Sequence, residues 1–145
     1  MNLHDKFAVT RSELSASLIE RETEIDLCLT ALVAREHVLL VGPPGTAKSL
    51  LADAIVGWMC GSKFSILLTK YTVPEEVFGP VSLVGLKADV FRRVVTGKMP
   101  EASIAFVDEI FKASSAILNT MLKILNERTF QNDGETLACP LALCI

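Results

Sequence analysis

Eight consecutive residues, Gly42, Pro43, Pro44, Gly45, Thr46, Ala47, Lys48 and Ser49, combine small or cyclic side chains with one cation and one hydroxyl. They lie between an apolar run at 37–41 and a stretch opening at Leu50 whose apolar residues recur at helical spacing. A strand-to-helix turn of this composition suits a phosphate tail. Backbone N–H groups converge on the anion, the helix dipole favours it, and only small side chains leave room for it. On this reading the loop and the first helical residue, Leu50, bind nucleotide. Lys48 would set its ammonium on the β- and γ-phosphates, and Ser49 would ligate Mg²⁺, which takes hard oxygen donors. Ala47 stands where such loops usually carry a sixth-position glycine. A negative φ there accommodates the methyl group without strain.

A second chemical element follows 60 positions after Lys48, where the apolar run Ile104, Ala105, Phe106, Val107 ends in Asp108 and Glu109. Two acids emerging from the C-terminal edge of a buried strand stand where open α/β sheets bind ligands. Asp108 would hold the metal, and Glu109 would orient and polarise the water that attacks the γ-phosphate. An Asp-Glu pair after a strand is, alone, most often a solvated helix start. Its pairing with the upstream loop points to a nucleoside triphosphate, ATP or GTP, and Mg²⁺ as ligands, with Lys48 and Glu109 as the catalytic pair.

The elements that must position these residues can be read around them. Thr10 and Glu13 have the spacing of a capping box opening a first helix, and Ile25, Cys28, Leu29, Leu32 and Val33 continue helical spacing up to Arg35. The run at 37–41 has the look of a buried parallel strand. Leu50, Leu51, Ala54, Ile55 and Trp58 give one helix face, with Gly61 as its cap, and residues 64–68 a second strand. Residues 81–86 and 89–95 read as a β-hairpin around Lys87 and Ala88, although Gly85 weakens its first strand. A third strand at 103–107 precedes a helix carrying Ile117, Met121, Leu122, Ile124 and Leu125. Residues 131–134 form a turn signal, since Asp133-Gly134 supplies positive backbone angles, and 141–145 open a further buried strand. The chain is therefore expected to be incomplete at its C-terminus.

Composition narrows the function classes. The 145 residues are about the size of one domain, and no repeat or flexible linker divides them. Half are hydrophobic, yet charges interrupt every run well short of the roughly 18 apolar residues that would span a bilayer. The N-terminus lacks the pattern of a signal peptide, so a cytoplasmic location is expected. A net charge of −3, without a basic stripe, argues against nucleic-acid binding. Cys28, Cys60, Cys139 and Cys144 lack metal-ligand spacing and lie far from His4 and His37, so they are expected to be buried thiols.

The sequence resembles the MoxR/RavA branch of the AAA+ ATPases. The resemblance rests on Glu20-Arg-Glu22, on 34–49 with alanine before the lysine, on 72–80, 86–100, 106–110 and 116–120, and on Asn126-Glu-Arg128. It implies an α/β P-loop NTPase fold, a three-layer sandwich with a parallel sheet and a β-hairpin insertion at 81–95, here stopping before the last core strands and helical lid. Residues 1–36 would form a leading helical segment and 37–145 the nucleotide-binding core, together one incomplete domain over 1–145. It also implies a homo-hexameric ring that remodels protein clients or inserts metals or cofactors, often with a von Willebrand factor A companion. The family's sensors and arginine finger are expected beyond Ile145. Since such a finger is worth roughly 10³–10⁵ in turnover, weak or absent hydrolysis is expected from this chain alone. Arg128 and Glu127 would either face a neighbouring subunit or end a solvated helix. Three alternatives stay open: a nucleotide-binding module without turnover, a small-molecule or nucleotide kinase, and a fragment without function.

Overall fold

The computed structural model describes residues 3–43 and 48–145, with side chains from residue 5 onward. Helices α1 (Leu3–Ser17), α2 (Glu22–Ala34) and α3 (Lys48–Met59) precede strand β1 (Lys63–Leu67). Two short helices follow, α4 (Pro74–Phe78) and α5 (Leu83–Leu86), and then strand β2 (Ile104–Asp108). Helix α6 (Ser115–Glu127), the strands β3 (Thr129–Asn132) and β4 (Glu135–Ala138), and β5 (Leu143–Cys144) complete the chain.

β2 is the central strand. It pairs in parallel with β1 along its whole length and with β5 on its other side, through Ile104↔Leu143 and Ala105↔Cys144. All four residues 104–107 are buried, as expected of a parallel strand covered on both faces. Alternation divides them between two cores. Ile104 and Phe106, with Leu143 and Ile145, meet Leu14, Ile25, Leu29, Leu51 and Ile55 from α1, α2 and α3. Ala105 and Val107, with Cys144, meet Val77 and Phe78 of α4, Ile117, Met121 and Ile124 of α6, and Phe130 of β3. The result is the expected three-layer α/β sandwich with a parallel sheet.

Several local expectations need correction. Residues 37–41 are not a strand of the sheet and make only a partial connection to it: Val38 N–H donates to Cys144 C=O at 2.9 Å, beside a β5 of two paired residues. Thr10 lies inside α1, where its hydroxyl donates to Lys6 C=O at 2.8 Å, so it caps nothing. The N-terminal region is two helices separated near Glu20, which adopts φ +58°. After α3 the left-handed position falls on Cys60 (φ +50°). Gly61 instead permits close approach, because a Cβ there would sit 3.1 Å from Ser103 Cβ.

The hairpin at 81–95 survives only at its base. Val81 and Arg93 form one antiparallel bridge, flanked by Ser82 N–H to Arg92 C=O (2.7 Å) and Val94 N–H to Pro80 C=O (2.8 Å). Beyond the bridge Ser82 acts as a helix cap, its Oγ accepting from Gly85 N–H at 3.1 Å, and the chain coils into α5. The Asp133-Gly134 turn forms as expected, with φ of +56° and +78° joining β3 to β4.

Candidate nucleotide site

Lys48 and Ser49 occupy the first turn of α3, where the positive end of the helix dipole lies. Asp108 ends β2 because the apolar run ends there, and Glu109 follows it. The two elements meet at one cleft of about 340 Å³, lined by Gly42, Lys48, Ser49, Asp108 and Glu109 with apolar walls from 39–41, Phe106 and Ile145. That volume lies within the roughly 300–1,000 Å³ of small-molecule sites.

Hydrogen bonds fix the charged groups. Lys48 Nζ donates to the carbonyls of Gly42 (3.0 Å) and Pro43 (3.1 Å), which holds the ammonium at the mouth of the loop. Asp108 Oδ1 accepts the Glu109 backbone N–H at 2.9 Å and so has a set orientation at the strand end. Glu109 itself is left-handed, φ +57°, a conformation that costs a non-glycine residue about 1–3 kcal/mol and recurs at functional sites. The kink turns the chain out of the strand into a 3-10 turn, Ile110–Lys112, closed by Lys112 N–H on Glu109 C=O at 2.8 Å. The Glu109 carboxylate is half-exposed, with Lys112 Nζ at 3.5 Å.

The donor set fits Mg²⁺. A hydroxyl and a carboxylate are hard oxygen donors, and a Mg²⁺ site of one or two protein ligands, completed by phosphates and waters, needs no larger protein cage. Among the described residues no group of three or more His, Cys, Asp or Glu forms such a cage.

Of the residues assigned from the sequence, the cleft thus gathers Gly42, Lys48, Ser49, Asp108 and Glu109. Pro43 contributes its carbonyl at the rim, while Pro44, Gly45, Thr46 and Ala47 lie outside the described residues. The Leu50 side chain turns elsewhere, into a groove between α1 and α3 beside Trp58. Arg128 is drawn inward to His37 Nε2 (2.8 Å) and Arg35 C=O (2.7 Å), which makes it more than a solvated helix end.

Sequence reading missed a second hollow of about 420 Å³ that shares residues 39–42 and Lys48 with the first and extends to Arg21, Thr23, Glu24 and Leu27. Arg21 and Glu24 are ion-paired there at 3.0 Å. The break between α1 and α2 is what brings the start of α2 to this place, and a correctly read helix boundary would have been the signal.

A family model described as the MoxR domain in the MoxR-vWA-beta-propeller ternary systems matches residues 5–145. The uncharacterized protein MJ0079 of Methanocaldococcus jannaschii is 44% identical over 137 residues, covering 94% of this chain and 36% of the relative. The chaperone MoxR1 of Mycobacterium tuberculosis is 24% identical over 128 residues, 88% of this chain and 33% of the relative. A crystal structure of a candidate ATPase from Cytophaga hutchinsonii shares the fold, with a TM-score of 0.73 at 19% identity over 97% of this chain and 44% of that one. The chain spans about a third of the length of these two curated relatives.

Proposed function

The chain belongs to the family of MoxR domains of the MoxR-vWA-beta-propeller ternary systems, an AAA+ ATPase family, and on that premise we propose that its cleft binds Mg·ATP. One observation carries the reading: a lysine and serine at a helix N-terminus and two acids at a strand end line the same cavity. Gly42 to Leu50 would wrap the phosphates, Lys48 would neutralise the β- and γ-oxygens, and Ser49 and Asp108 would hold the metal. Mg²⁺ held by Ser49 and Asp108 would supply neutralisation of the charge that develops on the phosphates. Glu109 would accept a hydrogen bond from the attacking water and so aim it. The hollow beside Arg21, Thr23 and Glu24 would take the nucleoside end.

Residues 37–145 would serve as the nucleotide-binding core and 1–36 as its leading helical segment. At the scale of the longer relatives, we extend the proposal to a homo-hexamer that spends ATP on chaperone-like remodelling of client proteins or on metal or cofactor insertion, with a von Willebrand factor A partner. No described helix is long and apolar enough to cross a membrane, and the work is proposed to be cytoplasmic.

A second reading, binding without turnover, is favoured by the placement of Arg128. Its guanidinium is engaged by Arg35 and stands beside His37, and the cation beside Glu109 is Lys112. Titration of the chain with Mg·ATP by calorimetry, alongside a phosphate-release assay, tests both. Saturable binding by the wild type that is absent from Lys48→Ala supports the site, and binding unchanged by that substitution overturns it. Phosphate release at a steady rate selects the ATPase reading, and binding with no release selects the module.

A further inference from the structure

Just upstream of the phosphate-binding segment, His37 stands where three elements meet, and the cleft chemistry makes no use of it. Its Nδ1 accepts the backbone N–H of Cys144 in β5 at 3.0 Å. Its Nε2 lies 3.0 Å from the carbonyl of Leu125 in α6 and 2.8 Å from Nη1 of Arg128 at the end of that helix. Arg128 in turn donates through Nη2 to Arg35 C=O at 2.7 Å, beside the end of α2. One residue after His37, Val38 N–H bonds Cys144 C=O. Among the described residues the ring and this single backbone bond are the hydrogen bonds that tie the 37–41 segment to β5, while Val38 and Leu40 pack on the core that holds Leu143 and Ile145.

We propose that His37 is a positioning residue for the phosphate loop: its neutral ring clamps the segment leading into Gly42 against β5 and α6. This rests on the nucleotide reading of the cleft. The bonding partners demand the neutral state. Cys144 N–H requires a bare Nδ1, which leaves the ring proton on Nε2, donated to Leu125 C=O. Arg128 Nη1, itself a donor, therefore stands beside Nε2 as a neighbouring charge and not as a hydrogen-bond partner of the ring. A second proton would confront Cys144 N–H with another donor and add a positive charge beside Arg128. Burial opposes that proton most and the charge of Arg128 opposes it as well, while the Leu125 carbonyl and Glu36, the preceding residue, favour it. The balance holds the ring below its ordinary value of 6.5. The clamp is therefore complete above pH 6.5 and released as the pH falls through the lowered value, and nucleotide affinity follows it.

The test is calorimetric titration of the chain with Mg·ATP in steps from about pH 8 to about pH 5.5, on the wild type, His37→Gln and Arg128→Gln. At pH 8 His37→Gln is expected to bind about three- to tenfold more weakly, the worth of one or two net hydrogen bonds. Arg128→Gln, which removes a charge opposing the second proton, is expected to bind as the wild type does at pH 8 and to lose affinity from a higher pH as the solution is acidified. The ligand's own phosphate titration, near pH 6, is common to all three proteins, so the ratio of wild-type to His37→Gln affinity isolates the ring. That ratio should shrink toward one as the pH falls below 6.5. A ratio of one at pH 8, or a ratio that stays constant with pH, overturns the proposal. If His37→Gln does not fold, nitrogen NMR of the wild-type ring decides the matter. Reciprocity requires saturating Mg·ATP to move the His37 titration to lower pH, and an unmoved midpoint overturns the clamp. Absence of Mg·ATP binding by the wild type at every pH would instead overturn the nucleotide reading, and the loop-positioning role with it.

Discussion

At the scale of single residues, the division of labour between the two acids can be tested apart from binding. Glu109 is proposed to aim water and makes no claim on the phosphates, so Glu109→Gln should keep Mg·ATP affinity within about threefold while any turnover falls by roughly 10²–10⁴. Calorimetry and phosphate release on one preparation check this, and a variant that loses binding in step with turnover would contradict the assignment. The thiols offer a second test. Burial pushes the Cys144 thiol up to about 12 and Cys28 to about 11, and it raises Cys139 as well. Cys60, expected from the sequence to be buried, is exposed. Because the thiolate is the nucleophile, an aromatic disulfide reagent at pH 8 should find one fast thiol in the folded protein and the other three only in denaturant. Fast reaction at Cys28 or Cys144 in the native state would show that α2 or β5 does not pack as described. That Lys48, Ser49, Asp108 and Glu109 would face one cleft was legible because each pair is a contiguous run of residues whose chemistry is local. The job of His37 was not, since the groups around its ring lie 88, 91 and 107 positions away.

At the scale of elements, the segment at 80–95 depends on contacts made outside it. The side chain of buried Asn132 imitates a strand, with Oδ1 accepting from Arg93 N–H (2.7 Å) and Nδ2 donating to Arg93 C=O (3.1 Å). Arg93 Nη1 meanwhile reaches Glu75 (3.0 Å) and Gly79 C=O (2.8 Å). Asn132→Ala should cost about 1–3 kcal/mol by leaving both backbone groups unpaired, and should speed hydrogen exchange selectively at 92–94. Gly79 is the joint of this segment, at φ +99° with Val94 C=O only 1.9 Å from where a Cβ would lie. Gly79→Ala should therefore destabilise the chain by roughly 3 kcal/mol in chemical denaturation, and an unchanged midpoint would contradict the packing described. These two residues explain why one hairpin was readable and the other was not. Asp133-Gly134 supplies the turn angles of β3–β4 within its own sequence. The pairing at 81–93 is instead set by Asn132, 39 positions away, and its tip is taken over by the Ser82 cap. The segment at 37–41 was likewise apolar enough to be read as a strand, but its pairing depends on how much of β5 lies beside it.

At the scale of the whole molecule, one sheet carries two cores, so the halves of the site are not independent. Ile104 is fully buried at the start of β2, facing the core of α1–α3, while the end of the same strand delivers Asp108 to the cleft. Ile104→Ala should cost about 2–5 kcal/mol, a large part of a domain's typical stability, and the loss should appear in a single cooperative transition seen alike by fluorescence of Trp58 and by circular dichroism. Two separate transitions would mean that the cores fold apart. The central claim, that the first turn of α3 and the end of β2 form one metal–nucleotide site, is tested most directly by calorimetry of the wild type and Asp108→Asn with ATP, in the presence and absence of Mg²⁺. Mg²⁺ is expected to strengthen wild-type binding, and Asp108→Asn is expected to lose this gain while still binding metal-free ATP through Lys48. An undiminished Mg²⁺ effect in Asp108→Asn would contradict the claim.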